Sequence, residues 1–161
     1  MGVDALGIIG YAAALCLAAV GSALGTGIAG MAAIGAWKKC FAQNKDAPFV
    51  LVVFAGAPFT QTLYGYLLMR RLLGVTTAAA AAGTLGANYM YLLAGGVLGG
   101  LAMGASAWMQ GKAAASASDA LGETGKGFAN FLLVLGIIES VALFVMIFIY
   151  MAVGGLAVEA A

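Results

Sequence analysis

Residues 127–158 read GFANFLLVLGIIESVALFVMIFIYMAVGGLAV, and Glu139 is the one charged side chain among them. A stretch of about 20 apolar residues is long enough to cross a bilayer as a helix. The segment lacks the alternation of polar and apolar residues that a membrane-spanning strand requires, and an open sheet edge cannot face lipid. It therefore predicts a transmembrane helix with an acidic residue near its middle.

Apolar segments of this kind occur three more times in the chain. They cover about residues 5–36, 49–69 and 84–111, the last with a possible extension to residue 117. We therefore predict an all-α membrane protein with four transmembrane helices in a single membrane domain, residues 1–161. The charged residues that separate the four helices are Lys38, Lys39, Lys45 and Asp46, then Arg70 and Arg71, then Lys112, and last Asp119, Glu123 and Lys126.

The composition excludes several classes of protein. Of the 161 residues, 64% are hydrophobic and 8% are charged, whereas about a quarter of an ordinary soluble domain is charged. The mean hydropathy of +1.06 excludes a soluble enzyme domain and a disordered chain. A net charge of +1 leaves no basic surface for a nucleic acid. The absence of histidine removes histidine-based acid–base catalysis and histidine metal ligands.

The basic residues predict which side of the membrane each loop faces. The first and third loops lie on one side and hold five basic residues when Lys112 is counted, against two in the second loop. Because cytoplasmic loops carry an excess of lysine and arginine, we expect loops 1–2 and 3–4 in the cytoplasm and both termini outside.

The two halves of the chain resemble each other. We predict a first helical hairpin at residues 1–81 and a second at residues 82–161. An even number of membrane crossings separates the hairpins, so both run in the same direction and form a parallel duplication. The matched segments are Leu24-Gly25-Thr26 with Gln110-Gly111-Lys112, and Gln61-Thr62-Leu63 with Glu139-Ser140-Val141.

Small residues recur at four-residue spacing in the first and third predicted helices. Such stripes let helix backbones approach closely in a membrane. We therefore predict that these two helices form an inner layer and that the second and fourth form an outer, lipid-facing layer, as in a ring with two concentric layers. The stripes are Gly21, Gly25 and Ala29 in the first helix and Gly96, Gly100 and Gly104 in the third.

Glu139 is the most informative single residue. An ionised acid at the bilayer centre costs about 2.5–3.5 kcal/mol on insertion scales. One interpretation is a neutral acid that pairs with a polar neighbour for packing, and the other is a carrier of an ion or a proton. Polar side chains in the neighbouring segments favour the carrier, and they are Thr60, Gln61, Tyr64 and Gln110. Their oxygens are sufficient to surround a small cation, whereas a proton site needs only the carboxyl group and one partner.

Four segments together resemble a known family. They are Gly21-Ser22-Ala23-Leu24-Gly25, Pro58-Phe59-Thr60-Gln61-Thr62-Leu63-Tyr64-Gly65, Gln110-Gly111-Lys112 and Glu139-Ser140. The chain is similar, over nearly its whole length, to the membrane-rotor proteolipid of V-type ATPases. That protein is the duplicated c-ring proteolipid known as K in bacterial sodium-pumping enzymes.

The resemblance implies a sodium site and a set of partners. The residues it assigns to the ion are Glu139, Gln110, Gln61, Thr60 and the carbonyl of Ala57, with Tyr64 donating a hydrogen bond to Glu139. It implies a rotor ring of identical subunits in a prokaryotic plasma membrane. It also implies a stator membrane subunit with an essential arginine and a central-stalk subunit on the cytoplasmic face. The chain contains no phosphate-binding Gly-x-x-x-x-Gly-Lys-Ser/Thr motif, so we expect a non-catalytic subunit.

Three other interpretations stay open on the sequence. The same rotor could carry protons only. A small proton-coupled transporter of four helices would also need an acid in the membrane. The last interpretation is a structural or channel-type four-helix protein, for which Glu139 would be dispensable.

Overall fold

A computed structural model describes residues 3–157 as helices joined by short turns, with no strand in that range. This confirms the all-α prediction. Four helical segments are long and apolar enough to cross a membrane. The α-helices are α1 (Val3–Ala42), α2 (Leu51–Gly56), α3 (Thr60–Ala81), α4 (Leu85–Thr124) and α5 (Phe128–Ala152), with 3-10 turns at Ala57–Phe59 and Val153–Ala157. The second predicted helix thus consists of α2, a 3-10 turn and α3.

Three of the four membrane segments continue as helix beyond the apolar segments that we predicted. Helices α1 and α4 have 40 residues each, which is about 60 Å of helix against a hydrocarbon core of about 30 Å. Lys39, which we predicted in a loop, lies in the last turn of α1, and Asp119 and Glu123 lie in α4. Charged residues end the lipid-facing stretch but do not break a helix, and the alanines of residues 113–120 favour its continuation.

The same correction applies to α3 and to the interior of α4. Arg70 and Arg71 lie inside α3, which continues to Ala81, well past the predicted end of the second apolar segment at residue 69. Lys112 lies in the interior of α4 and not at a helix end. The predicted end of the fourth apolar segment, residue 158, falls outside the described residues.

Helices α1 and α4 run parallel and form the closest helix pair. Gly10 lies against Gly96, and Gly25 lies against Gly111 farther along both helices. At these points the backbones themselves are in contact. A Cβ atom built on Gly100 would stand 2.6 Å from the carbonyl oxygen of Ala13. The small-residue stripes therefore form a seam between α1 and α4, which constitute one layer.

Helices α3 and α5 form the second layer. Helix α3 packs on α1 and α4, and α5 packs on α4 and α3. Only three of the 25 residues of α5 are buried, namely Leu135, Ala142 and Met146. Large apolar side chains such as Phe148, which is 64% exposed, cover the rest of its surface. Such a surface is suited to contact with lipid or with another membrane helix.

Two apolar clusters fill the interior and leave a gap between them. No buried member of either cluster lies in residues 104–113 of α4 or 136–141 of α5. The polar residues that the sequence singled out lie at the level of this gap, which we call the polar band. Apolar side chains close this band at both ends. The first cluster includes Leu68, Leu72, Leu92, Met103 and Met146, and the second includes Leu51, Phe54, Ala114, Leu121 and Leu135.

Candidate ion-binding site

Pro58 shapes the backbone where the second membrane segment enters the polar band. A proline has no N–H to donate, so the carbonyl of Phe54 lacks its usual helical donor. The chain passes through the 3-10 turn Ala57–Phe59 before α3 begins. The carbonyl oxygen of Ala57 accepts the backbone N–H of Thr60 and also the Thr60 hydroxyl, at 3.1 Å. The turn therefore places a backbone oxygen and a hydroxyl side by side.

Gln61 and Gln110 join α3 to α4 at the centre of this band. Both side chains are 0% exposed. The amide nitrogen Nε2 of Gln61 donates to Oε1 of Gln110 at 2.8 Å, which orients both amides. The Oε1 atom of Gln61 lies 3.3 Å from the hydroxyl of Thr60. Two side-chain oxygens from consecutive residues therefore lie together beside the carbonyl of Ala57.

Gln110 also connects α4 to α5. Its Nε2 atom donates to the carbonyl oxygen of Leu135 at 3.0 Å and lies 3.5 Å from Oε2 of Glu139. Because one amide group contacts α3 and α5 together, Gln110 connects three helices around the acid.

Tyr64 holds the other oxygen of the acid. Its hydroxyl donates to Oε1 of Glu139 at 2.8 Å, across the contact between α3 and α5. Among residues 6–156, whose side chains the structure describes, the ion pairs involve Lys39 with Asp119 and Glu123, and none involves Glu139. The carboxylate therefore has neutral hydrogen-bond donors beside it but no basic partner in the described part of the chain.

The structure brings all six predicted residues into one band. These six residues contribute one carboxylate, a hydroxyl, two amides, a phenol and a backbone carbonyl. Oxygen donors of this kind suit hard cations, which are held by carboxylates, amide oxygens and carbonyls. The described residues contain no group of three histidine, cysteine or acidic side chains that could hold a metal ion. Because one carboxylate balances one positive charge, the arrangement is suited to one small monovalent cation or to a proton on Glu139.

One polar residue beside the site was not predicted from the sequence. Ser106 is 7% exposed, and its hydroxyl donates to the carbonyl oxygen of Ile138 at 2.9 Å. The sequence feature that could have identified Ser106 is its position four residues before Gln110, which places both residues on one face of α4. No sequence feature marks the carbonyls of Leu135 and Ile138 as acceptors, because backbone carbonyls are the same at every residue. Ser140, which follows Glu139, donates instead to Ile137 within its own helix at 2.7 Å.

Comparison with known families gives one match. Residues 93–152, which cover less than half of the chain, match the model of the ATP synthase C-subunit family. Comparison with curated proteins gives no significant match. The matched stretch contains most of α4 and the whole of α5, and therefore Gln110 and Glu139. Over its second pair of membrane helices, this chain is thus similar to the ATP synthase C-subunit family, the membrane proteolipids of rotary ATPases.

Proposed function

We propose that this protein is an ion-translocating rotor subunit of a V-type ATPase and that it carries Na⁺ at Glu139. The observation that carries the proposal is a membrane carboxylate that contacts Tyr64 and Gln110 beside a set of neutral oxygens. The similarity of residues 93–152 to the ATP synthase C-subunit family supports the rotor role.

In this proposal Na⁺ is the cargo, and six residues with different roles bind it. The carboxylate of Glu139 supplies the balancing charge. Oxygens of Thr60, Gln61 and Gln110 and the carbonyl of Ala57 replace water around the ion, while Tyr64 holds the carboxylate in place. An uncompensated carboxylate is costly in lipid, so Glu139 enters the lipid-facing part of its path only when a cation neutralises it.

Rotation requires partners that this chain would meet in a complex. Identical copies would form the ring, with the α1–α4 layer inside and the α3–α5 layer outside. A stator subunit with an essential arginine would attract the carboxylate of Glu139 and release the ion into an aqueous half-channel. A central-stalk subunit would bind the loops that we expect on the cytoplasmic side of a prokaryotic plasma membrane. ATP chemistry would take place in a separate soluble sector.

The polar groups around Glu139 favour Na⁺ over H⁺ as the cargo. A proton needs one carboxyl group and one hydrogen-bond partner, and Tyr64 already supplies that partner. Thr60, Gln61 and Gln110 would not be needed for that proton, yet all three place polar groups beside Glu139. A cation that needs several oxygens accounts for this group of residues.

Carbodiimide labelling of the purified protein tests the proposal, because carbodiimides modify protonated carboxyl groups in apolar surroundings. The reaction is followed by mass spectrometry between about pH 5 and pH 9, with and without NaCl. We expect labelling at Glu139 that NaCl suppresses and that Glu139→Gln abolishes. Glu123→Gln is the matched control, since Glu123 is an exposed acid paired with Lys39.

Three other outcomes would contradict the proposal in different ways. Labelling of Glu139 that follows pH but ignores NaCl would keep the rotor and make its cargo a proton. No labelling of Glu139 under any condition would refute an ion-carrying role for this residue. A proton flux stimulated by a solute would favour a small transporter instead.

A further inference from the structure

Helix α5 carries the acid but has little packing to fix its rotation. Its three buried residues lie on one narrow face, and the rest of the helix is half-buried or exposed. At about 5–6 Å from the helix axis, a rotation of about 20° moves the end of a side chain by about 2 Å. Binding sites require positions held within about 0.5 Å. Within one copy of the chain, contacts other than apolar packing must therefore hold Glu139 in place.

Two side chains of α4 supply such restraints by donating to the backbone of α5. Ser106 donates to the carbonyl of Ile138 at 2.9 Å, and Gln110 donates to the carbonyl of Leu135 at 3.0 Å. The two donors are one helical turn apart, as are the two acceptors. A pair of bonds separated along the axis resists rotation as well as sliding of α5.

We propose that Ser106 is a positioning residue that holds Glu139 at the ion site by fixing the rotation of α5. The acceptor of its hydrogen bond is the carbonyl of Ile138, the residue directly before Glu139. A carbonyl oxygen has two lone pairs, so it accepts this hydroxyl in addition to a helical N–H. Ser106 contacts the helix backbone and not the acid, and it acts through that backbone.

The two donors differ in what happens when an ion binds. Gln110 lies 3.5 Å from Glu139 and its amide oxygen faces Gln61, so its contacts must rearrange when that oxygen turns to a cation. In the described structure the hydroxyl of Ser106 makes one hydrogen bond, to the carbonyl oxygen of Ile138. An ion at Glu139 does not compete for that oxygen. Ser106 therefore holds α5 both with and without the ion.

The inference rests on the proposed ion-carrying role of Glu139, and labelling of that residue tests both separately. The variants are Ser106→Ala, which removes the hydroxyl, and Ser106→Thr, which keeps it. Ser116→Ala is the matched control, because Ser116 is exposed on the same helix and bonds only within it, to the carbonyl of Lys112. Each variant is purified as the full-length chain, and its oligomeric state is checked before labelling.

We expect Ser106→Ala to raise the Na⁺ concentration for half-protection of Glu139 about three- to tenfold, with unchanged maximal labelling. Ser106→Thr and Ser116→Ala should behave as the unmodified protein. If NaCl gives no protection even in the unmodified protein, the pH at half-maximal labelling replaces it as the readout, and we expect Ser106→Ala alone to shift it.

Three results would overturn the inference. Equal values for Ser106→Ala and Ser116→Ala would show that the hydroxyl does not position the acid, while leaving the rotor proposal intact. Equal losses in Ser106→Ala and Ser106→Thr would assign the effect to packing and not to the hydrogen bond. Absence of labelling at Glu139 in the unmodified protein would refute the proposed function and this inference with it.

Discussion

The seam between α1 and α4 leads to a prediction about Gly100. A Cβ atom at this position would stand 2.6 Å from the carbonyl oxygen of Ala13, 3.1 Å from Cβ of Leu17 and 3.2 Å from Cα of Ala14. Ordinary van der Waals contact begins at 3.4 Å. The substitution Gly100→Ala therefore requires the two helices to separate by about 0.8 Å, the difference between 3.4 and 2.6 Å.

Two opposing effects determine the size of the change. Overpacking of this kind costs about 1–3 kcal/mol, and backbone atoms on the opposite helix cannot move aside as a flexible side chain can. Replacing glycine by alanine inside a helix gains about 0.5–1 kcal/mol. We therefore expect a net loss of about 1–2 kcal/mol in the free energy of unfolding.

Unfolding in mixed micelles with increasing dodecyl sulfate measures this loss, followed by helical circular dichroism. Gly86→Ala is the matched control, because Gly86 lies in the same helix and a Cβ atom there meets nothing within 4 Å. The control should be as stable as the unmodified protein or slightly more stable. If Gly100→Ala is as stable as Gly86→Ala, the backbone contact between α1 and α4 does not exist in the protein.

Three further predictions concern single side chains. Tyr64→Phe removes a 2.8 Å hydrogen bond to Glu139, so the Na⁺ concentration for half-protection from carbodiimide should rise about tenfold; an unchanged value would remove Tyr64 from the site. Trp37→Phe removes the 2.8 Å bond to the carbonyl of Pro48, and faster proteolysis of the first loop should follow, whereas an unchanged rate would show that this bond does not order the loop. Lys39→Met breaks two ion pairs between exposed groups, so the unfolding midpoint should stay the same, and a clear decrease would contradict their weak contribution.

The position of the candidate site was accessible from sequence because lipid makes polar residues conspicuous. A glutamine or an acid within an apolar segment needs a partner, and few candidates exist in this chain. The sequence alone therefore predicts that Gln61, Gln110 and Glu139 contact one another. The glycine stripes likewise indicated which helices approach most closely, because a small residue has one dominant use in a membrane interface.

Helix ends and backbone partners were less accessible. Lys39 and Asp119 were predicted to lie in loops, yet both lie in helices that extend past the expected width of the hydrocarbon core. The sequence pattern reports where lipid contact ends, and it does not report where helical hydrogen bonding ends. The roles of Leu135 and Ile138 were also hidden, since their carbonyls and not their side chains accept the bonds from α4.

The glycine seam also has a mechanical consequence. Where Gly25 meets Gly111, no side chain lies between the helices that could change rotamer under load. A joint of backbone against backbone is stiff, because both surfaces are already held by their own helical hydrogen bonds. Under a twisting force, the α1–α4 pair would thus turn as one body.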